Sequence, residues 1–158
     1  MPEPKGGTDQ PGVVAPPLAV FAAFFAAGLG LEWLWPCVLA FTRAGWPAGV
    51  AAIVAGIALV AWSMHRFRRS ETTVNPYGST RAIVSDGPYR FSRNPIYLAL
   101  VLIYVGGGIA VGSLWVLALL VPCLAVMHWG VILREERYLE NKFGDDYRRY
   151  KASVRRWL

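Results

Sequence analysis

Charged side chains are absent from most of the chain. Among its 158 residues, the stretches 10–31, 44–64 and 94–133 contain no Asp, Glu, Lys or Arg. A soluble domain distributes such residues over its whole surface. Three long stretches without charge therefore exclude an ordinary globular protein. The apolar runs also lack the strict alternation of a transmembrane β-barrel. The sequence therefore predicts an all-α, polytopic bundle of membrane-spanning helices.

The lengths of the uncharged stretches set the number of helices. A hydrocarbon core of roughly 30 Å needs about 20 helical residues. The first two stretches are about that long, and the third has 40 residues, enough for two crossings. Glycines near its centre, Gly106–Gly108 and Gly112, predict the turn of a helical hairpin. The four predicted spans are Pro17–Leu39, Trp46–His65, Pro95–Val111 and Leu114–Leu133. Residues 1–16 are predicted to be a disordered tail, and 17–158 a single domain.

Basic residues are concentrated in two segments. Of 16 Lys and Arg, six lie between Arg66 and Arg93 and eight between Arg134 and Arg156. Two spans separate these segments, so both fall on one side, and the positive-inside rule makes that side cytoplasmic. We expect a multi-pass protein of the cytoplasmic (inner) membrane, surrounded by membrane lipids, with a cytoplasmic active face. Nucleic acid is not an expected partner, because no basic recognition helix or aromatic-interleaved basic strand is present.

Cysteine is scarce. Cys37 and Cys123 both lie in apolar stretches, where a free cysteine behaves as a small hydrophobic residue. We predict neither a disulfide nor a metal site. The sequence also lacks a glycine-rich turn between a strand and a helix, which excludes the usual soluble nucleotide-binding folds.

The start of the third span is a candidate anion site. Asn94 is a favoured N-cap and Pro95 suits the first helical position. The amides left without a helical partner would be those of Ile96, Tyr97 and Leu98. Together with Arg90 and Arg93 they would favour a carboxylate or a phosphate. The alternative is that both arginines only anchor the helix to lipid phosphates.

Two adjacent carboxylates follow the last uncharged stretch. Glu135 and Glu136 are about 100° apart on a helix, so one of them faces the bundle. At the end of a span they need cationic compensation. Arg134 and Arg137 could supply it, and so could a cationic ligand. Beyond them, an apolar stripe at helical spacing predicts an amphipathic cytoplasmic tail that is interrupted at Gly144, with Asp145 as the next N-cap.

Three segments together resemble a known superfamily. They are Gly87–Leu98, Glu135–Glu140 and Phe143–Tyr150, in that order. This set is similar to the isoprenylcysteine carboxyl methyltransferase and phospholipid N-methyltransferase superfamily, over roughly residues 74–158. The resemblance implies an integral membrane enzyme that holds S-adenosylmethionine between its late helices and its C-terminal tail.

The resemblance also implies site residues. Arg93 and Glu136 are the predicted catalytic residues. The predicted cofactor-binding residues are Tyr89, Arg90, Arg93, Asn94, Pro95, Ile96, Tyr97, Leu98, Glu135 and Glu136. Many relatives carry His immediately before the proline, where this chain has Asn94, so an acid–base role of that His does not transfer.

The methyl acceptor is expected to be a lipid-soluble or lipidated molecule. An isoprenylcysteine-like carboxylate is the preferred interpretation, and a phospholipid amine or a small thiol is the alternative. From other classes, an NADPH-dependent sterol-reductase-like protein or a non-enzymatic membrane scaffold or transporter would be possible.

Overall fold

A computed structural model describes residues 11–37, 42–69 and 83–158, and within them the only regular elements are helices. The elements are α1 (Pro17–Leu34), α2 (Thr42–Arg69), a 3-10 turn (Gly87–Arg90), α3 (Pro95–Val111), α4 (Leu114–Met127), a π-helical turn (His128–Ile132), α5 (Leu133–Phe143) and α6 (Asp145–Ser153). The prediction of an all-α membrane bundle is confirmed. Residues 1–10 of the predicted disordered tail and residues 70–82 of the loop before α3 lie outside the described residues.

Three of the described helices are long and apolar enough to cross a membrane. They are Pro17–Leu34, Gly45–Arg66 and Leu114–Phe143, and the 17-residue α3 is a shorter apolar helix. The predicted bounds of α3 are confirmed. The helix of the fourth predicted span continues beyond Leu133 without a break, through the π-helical turn and α5 to Phe143, as an extension of that helix into the tail.

The α3–α4 turn is formed by Gly112 and Ser113. Gly112 has φ 74°, a left-handed conformation that favours glycine after a helix end. The prediction that Gly106–Gly108 belong to the turn is wrong, because α3 continues through them. These glycines permit close packing instead: a Cβ on Gly106 would lie 2.6 Å from the carbonyl oxygen of Gly49 in α2.

A buried serine joins α1 to this turn. The hydroxyl of Ser113 donates to Glu32 Oε2 at 2.7 Å and accepts the amide of Val116, which caps α4. Glu32 Oε1 also accepts the amide of Cys37 at 2.7 Å. Glu32 therefore fixes the end of the bundle opposite to the Glu135–Glu136 pair.

The chain after α5 folds back under the bundle. Gly144, with φ 54°, breaks the helix, and α6 begins at Asp145. Asp145 is thus the first residue of α6, and the prediction that it is the N-cap is wrong. The last residues then run beside the segment that precedes α3, where the amide of Arg93 donates to the carbonyl of Arg155 at 2.9 Å. This contact brings the C-terminus to the start of α3.

Candidate functional site

A buried ion cluster joins α3, α5 and the C-terminal tail. Arg156 forms two hydrogen bonds with Glu136, from Nε to Oε1 at 2.9 Å and from Nη2 to Oε2 at 2.8 Å. Arg93 Nη1 lies 3.0 Å from Glu136 Oε1. The side chains of Arg93 and Glu136 are 9% and 8% exposed, so both are largely shielded from solvent, whereas Arg156 is 29% exposed. The two predicted catalytic residues therefore contact each other.

The second carboxylate of the pair has a different partner. The hydroxyl of Tyr97 donates to Glu135 Oε1 at 2.7 Å. Among the described residues, no Lys or Arg forms an ion pair with Glu135. Arg134, which the sequence offered as a partner for the carboxylates, does not neutralise Glu135. It donates instead to the carbonyl of Gly12 at 2.9 Å. Glu135 is thus the carboxylate of the pair that a cationic ligand could still neutralise.

The start of α3 differs in two details from the prediction. Asn94 occupies the N-cap position, but its side chain makes no capping bond and donates to the carbonyl of Arg156 at 3.1 Å. Asn94 is thus the N-cap residue, as predicted, but the capping hydrogen bond is absent, and its Nδ2 group binds the tail instead. The amide of Leu98 donates to the Asn94 carbonyl at 3.0 Å, so it is not free. In the described part of the chain, only the amides of Ile96 and Tyr97 at this helix end lack such an acceptor.

Tyrosines surround the ion cluster. Tyr147 of α6 is 2% exposed, and burial, together with the charge of Glu136, raises its pKa to about 12, although Arg93 acts in the opposite direction. Tyr150 donates its hydroxyl to the carbonyl of Tyr89 at 2.9 Å. Burial also raises the pKa of Tyr89 well above its usual value. These phenols remain neutral at physiological pH.

Arg90 and Pro95 occupy contrasting positions. Arg90 ends the 3-10 turn on the surface and forms no ion pair with the described residues. Pro95 is fully buried at the first position of α3. Arg93 is therefore part of an internal ion pair with Glu136, which neither interpretation of the sequence included. The exposed Arg90 is available to an anionic ligand or to a lipid phosphate.

A cleft of about 320 Å³ opens between α5, α6 and the tail. Its lining consists of Leu133, Glu136, Arg137, Glu140, Asn141, Arg148, Lys151 and Arg156. Of the predicted site residues, only Glu136 lines it. We call it the α5–α6 cleft. Neither Tyr97 nor Glu135 lines it, so it is a different site from the one where these two residues meet.

Sequence reasoning missed two members of the cluster. Arg156 looked like one of eight basic residues in a solvated tail, and Tyr147 looked like part of an apolar stripe. Nothing local to Arg156 indicates that its partner lies 20 residues earlier. The helical spacing of Tyr147 did indicate burial, but not that its neighbours would be Arg93 and Glu136.

The fold defines an all-α membrane protein with a buried polar cluster at one end of its bundle. A family model described as phospholipid methyltransferase matches residues 46–146, more than half of the chain. The chain therefore belongs to the phospholipid methyltransferase family, a family of membrane methyltransferases. The match includes every predicted site residue but not Tyr147 or Arg156.

One relative is shorter than this chain. An uncharacterized protein of Haemophilus influenzae is 44% identical over 63 residues, which are 40% of this chain and 100% of the relative. No solved structure gives a significant match.

Proposed function

We propose that the protein transfers a methyl group from S-adenosylmethionine to a lipid-soluble acceptor, at the end of the bundle where α3 and α5 begin. The observation that carries the proposal is the pairing of Tyr97 with Glu135 at 2.7 Å, which brings these two helix starts together. We expect this end to face the cytoplasm, where the cofactor is available.

The polar groups at this end fit the cofactor. Its amino acid part carries a carboxylate and an ammonium group. The free amides of Ile96 and Tyr97, with the exposed Arg90, suit the carboxylate. Glu135, which has no ion-pair partner among the described residues, suits the ammonium group. Arg93 Nε is a buried donor that lacks an acceptor among those residues and gives the site a further polar contact.

Each side chain then has a definite task. Glu135 is held in place by Tyr97, which fixes the direction of its free oxygen. Arg93 and Arg156 neutralise Glu136, so that the cluster stays folded around the site. The buried Tyr89 and Tyr97 offer aromatic surfaces, which attract cations and stack on planar rings. The cofactor, when bound, supplies an electrophilic methyl group next to a positively charged sulfur.

The chemistry needs alignment more than proton transfer. Methyl transfer is an in-line displacement, and a carboxylate or thiolate acceptor needs positioning and exclusion of water. An amine acceptor would also have to lose a proton. An isoprenylcysteine-like carboxylate, preferred from the sequence, remains one candidate acceptor. A phospholipid amine is the other, and the match to the phospholipid methyltransferase family supports it. Either acceptor would arrive from the bilayer between helices.

The test uses purified protein in lipid nanodiscs with methyl-labelled S-adenosylmethionine. Label should enter the lipid extract, and the class of labelled lipid identifies the acceptor. Glu135→Gln should reduce the rate by about 10–100-fold, the effect of losing a charge-assisted contact. Glu140→Gln is the matched control, at a half-buried acid of the same helix that is paired with Arg148 and Lys151, away from Tyr97. If wild-type protein labels no lipid from any candidate class, the proposal is wrong.

A further inference from the structure

The α5–α6 cleft carries an excess of positive charge. Its lining has four cationic side chains, from Arg137, Arg148, Lys151 and Arg156, against two carboxylates. Both carboxylates are already paired. Glu140 accepts from Arg148 at 3.1 Å and from Lys151 at 3.3 Å, and Glu136 is held by Arg156. The remaining charge in the cleft is therefore cationic.

Arg137 is the cationic residue of the cleft that takes no part in these ion pairs. It is exposed on α5 and lines the cleft, and no carboxylate of the described residues lies within ion-pair distance of it. Asn141, one turn further on, adds a neutral amide donor to the same wall. Lys151 faces them from α6 with a 41% exposed side chain. A phosphate between these helices would meet donors from both walls.

The depth of the cleft matches the headgroup layer of a membrane. Leu133 is the last residue of the 40-residue uncharged stretch and lines the cleft at its membrane end. Arg137 follows four residues later, about 6 Å along the helix. The headgroup layer extends about 5–8 Å beyond the hydrocarbon core. If the hydrocarbon core ends at Leu133, Arg137 is at the depth of the lipid phosphates.

We propose that the α5–α6 cleft binds the phosphate of an anionic phospholipid. Arg137, Lys151 and Asn141 would donate to the phosphate oxygens, and Leu133 would contact the glycerol end of the lipid. A cationic pocket at the membrane surface selects anionic over zwitterionic lipids because the net charge of the headgroup decides the electrostatic attraction. This site is separate from the contact between Tyr97 and Glu135 and needs no methyl transfer.

The test is native mass spectrometry of the full chain, released from nanodiscs of phosphatidylcholine with a minor share of phosphatidylglycerol. The measured quantity is the ratio of the two lipids retained. Wild-type protein should retain phosphatidylglycerol preferentially. Arg137→Gln and Lys151→Gln should each lower that preference by about fivefold, the effect expected for one interfacial cation.

Two controls decide the outcome. Arg149→Gln removes an equal charge from α6 at a residue that is outside the cleft and paired with Asp146. It should leave the preference unchanged, and an equal loss in this variant would overturn the site in favour of a diffuse surface charge. Glycerol 3-phosphate is added as a soluble anion. If it displaces the retained phosphatidylglycerol, the cleft is a site for a soluble phosphate, and the lipid assignment is wrong.

Discussion

Breaking the ion pair between Arg156 and Glu136 should destabilise the fold. The loss of stability should depend on which of the two residues is replaced. Glu136 is buried and is held by Arg156 through two hydrogen bonds and by Arg93 through one ion pair. Removing one partner of a buried pair costs about 3–5 kcal/mol when the other charge is left alone. Arg156→Gln leaves Arg93 beside Glu136, so its cost should be lower, about 1–3 kcal/mol. Glu136→Gln strands the buried Arg93 and should cost more.

The assay is thermal unfolding in one detergent, with reversibility checked by a second scan, because a free-energy cycle requires equilibrium unfolding. For a chain of this size, about 2 kcal/mol corresponds to a shift of about 4–8 °C. The double variant completes a cycle, and we expect a coupling of about 1–3 kcal/mol between Arg156 and Glu136.

The control cycle uses Asp146 and Arg149, an ion pair on α6 whose side chains are 69% and 75% exposed. Exposed pairs of this kind contribute about 0–1 kcal/mol. If the coupling of Arg156 with Glu136 is no larger than that of the exposed pair, the cluster does not hold the tail against α3 and α5. The assigned role of Arg156 would then be wrong.

Two further predictions concern packing and ionisation. Gly106→Val should destabilise the bundle by about 3 kcal/mol or more, because its side chain would meet the backbone of Gly49. Gly30→Val, at a position with open space around it, should have little effect in the same unfolding assay. Tyr147, whose pKa is raised to about 12, should stay protonated in the fold when the unfolded chain ionises near pH 10. The free energy of unfolding should therefore fall as pH rises from about 10 to about 12. In a denaturation series over this pH range, Tyr147→Phe should remove the contribution of Tyr147 to that fall.

The elements that the sequence predicted well are those set by local rules. The Asn94–Pro95 pair and the pair Gly112–Ser113 define the bounds of α3, because a proline fixes a helix start and a glycine with positive φ fixes its end. The break at Gly144 was predictable for the same reason. The Gly106–Gly108 run misled because glycine serves close helix packing in membranes as well as turns.

The features that escaped prediction depend on contacts distant in sequence. Arg156 meets Glu136 and Asn94 only because the chain folds back after α6, and a helical pattern contains no information about that return. Asn94 holds the predicted N-cap position of α3, but its side chain donates to the carbonyl of Arg156 and makes no capping bond. The different partners of Glu136, which binds arginines, and Glu135, which binds Tyr97, also depend on tertiary structure. The sequence does not show which elements lie next to each side of α5.

The most direct measurement is calorimetric titration of the purified protein with S-adenosylmethionine. Wild-type protein and Glu140→Gln should bind it with the same affinity, and Glu135→Gln should bind about 10–100-fold more weakly, the effect of removing a charged partner of the ammonium group. Absence of binding heat in the wild type, or equal affinities in all three proteins, would contradict a cofactor site between α3 and α5.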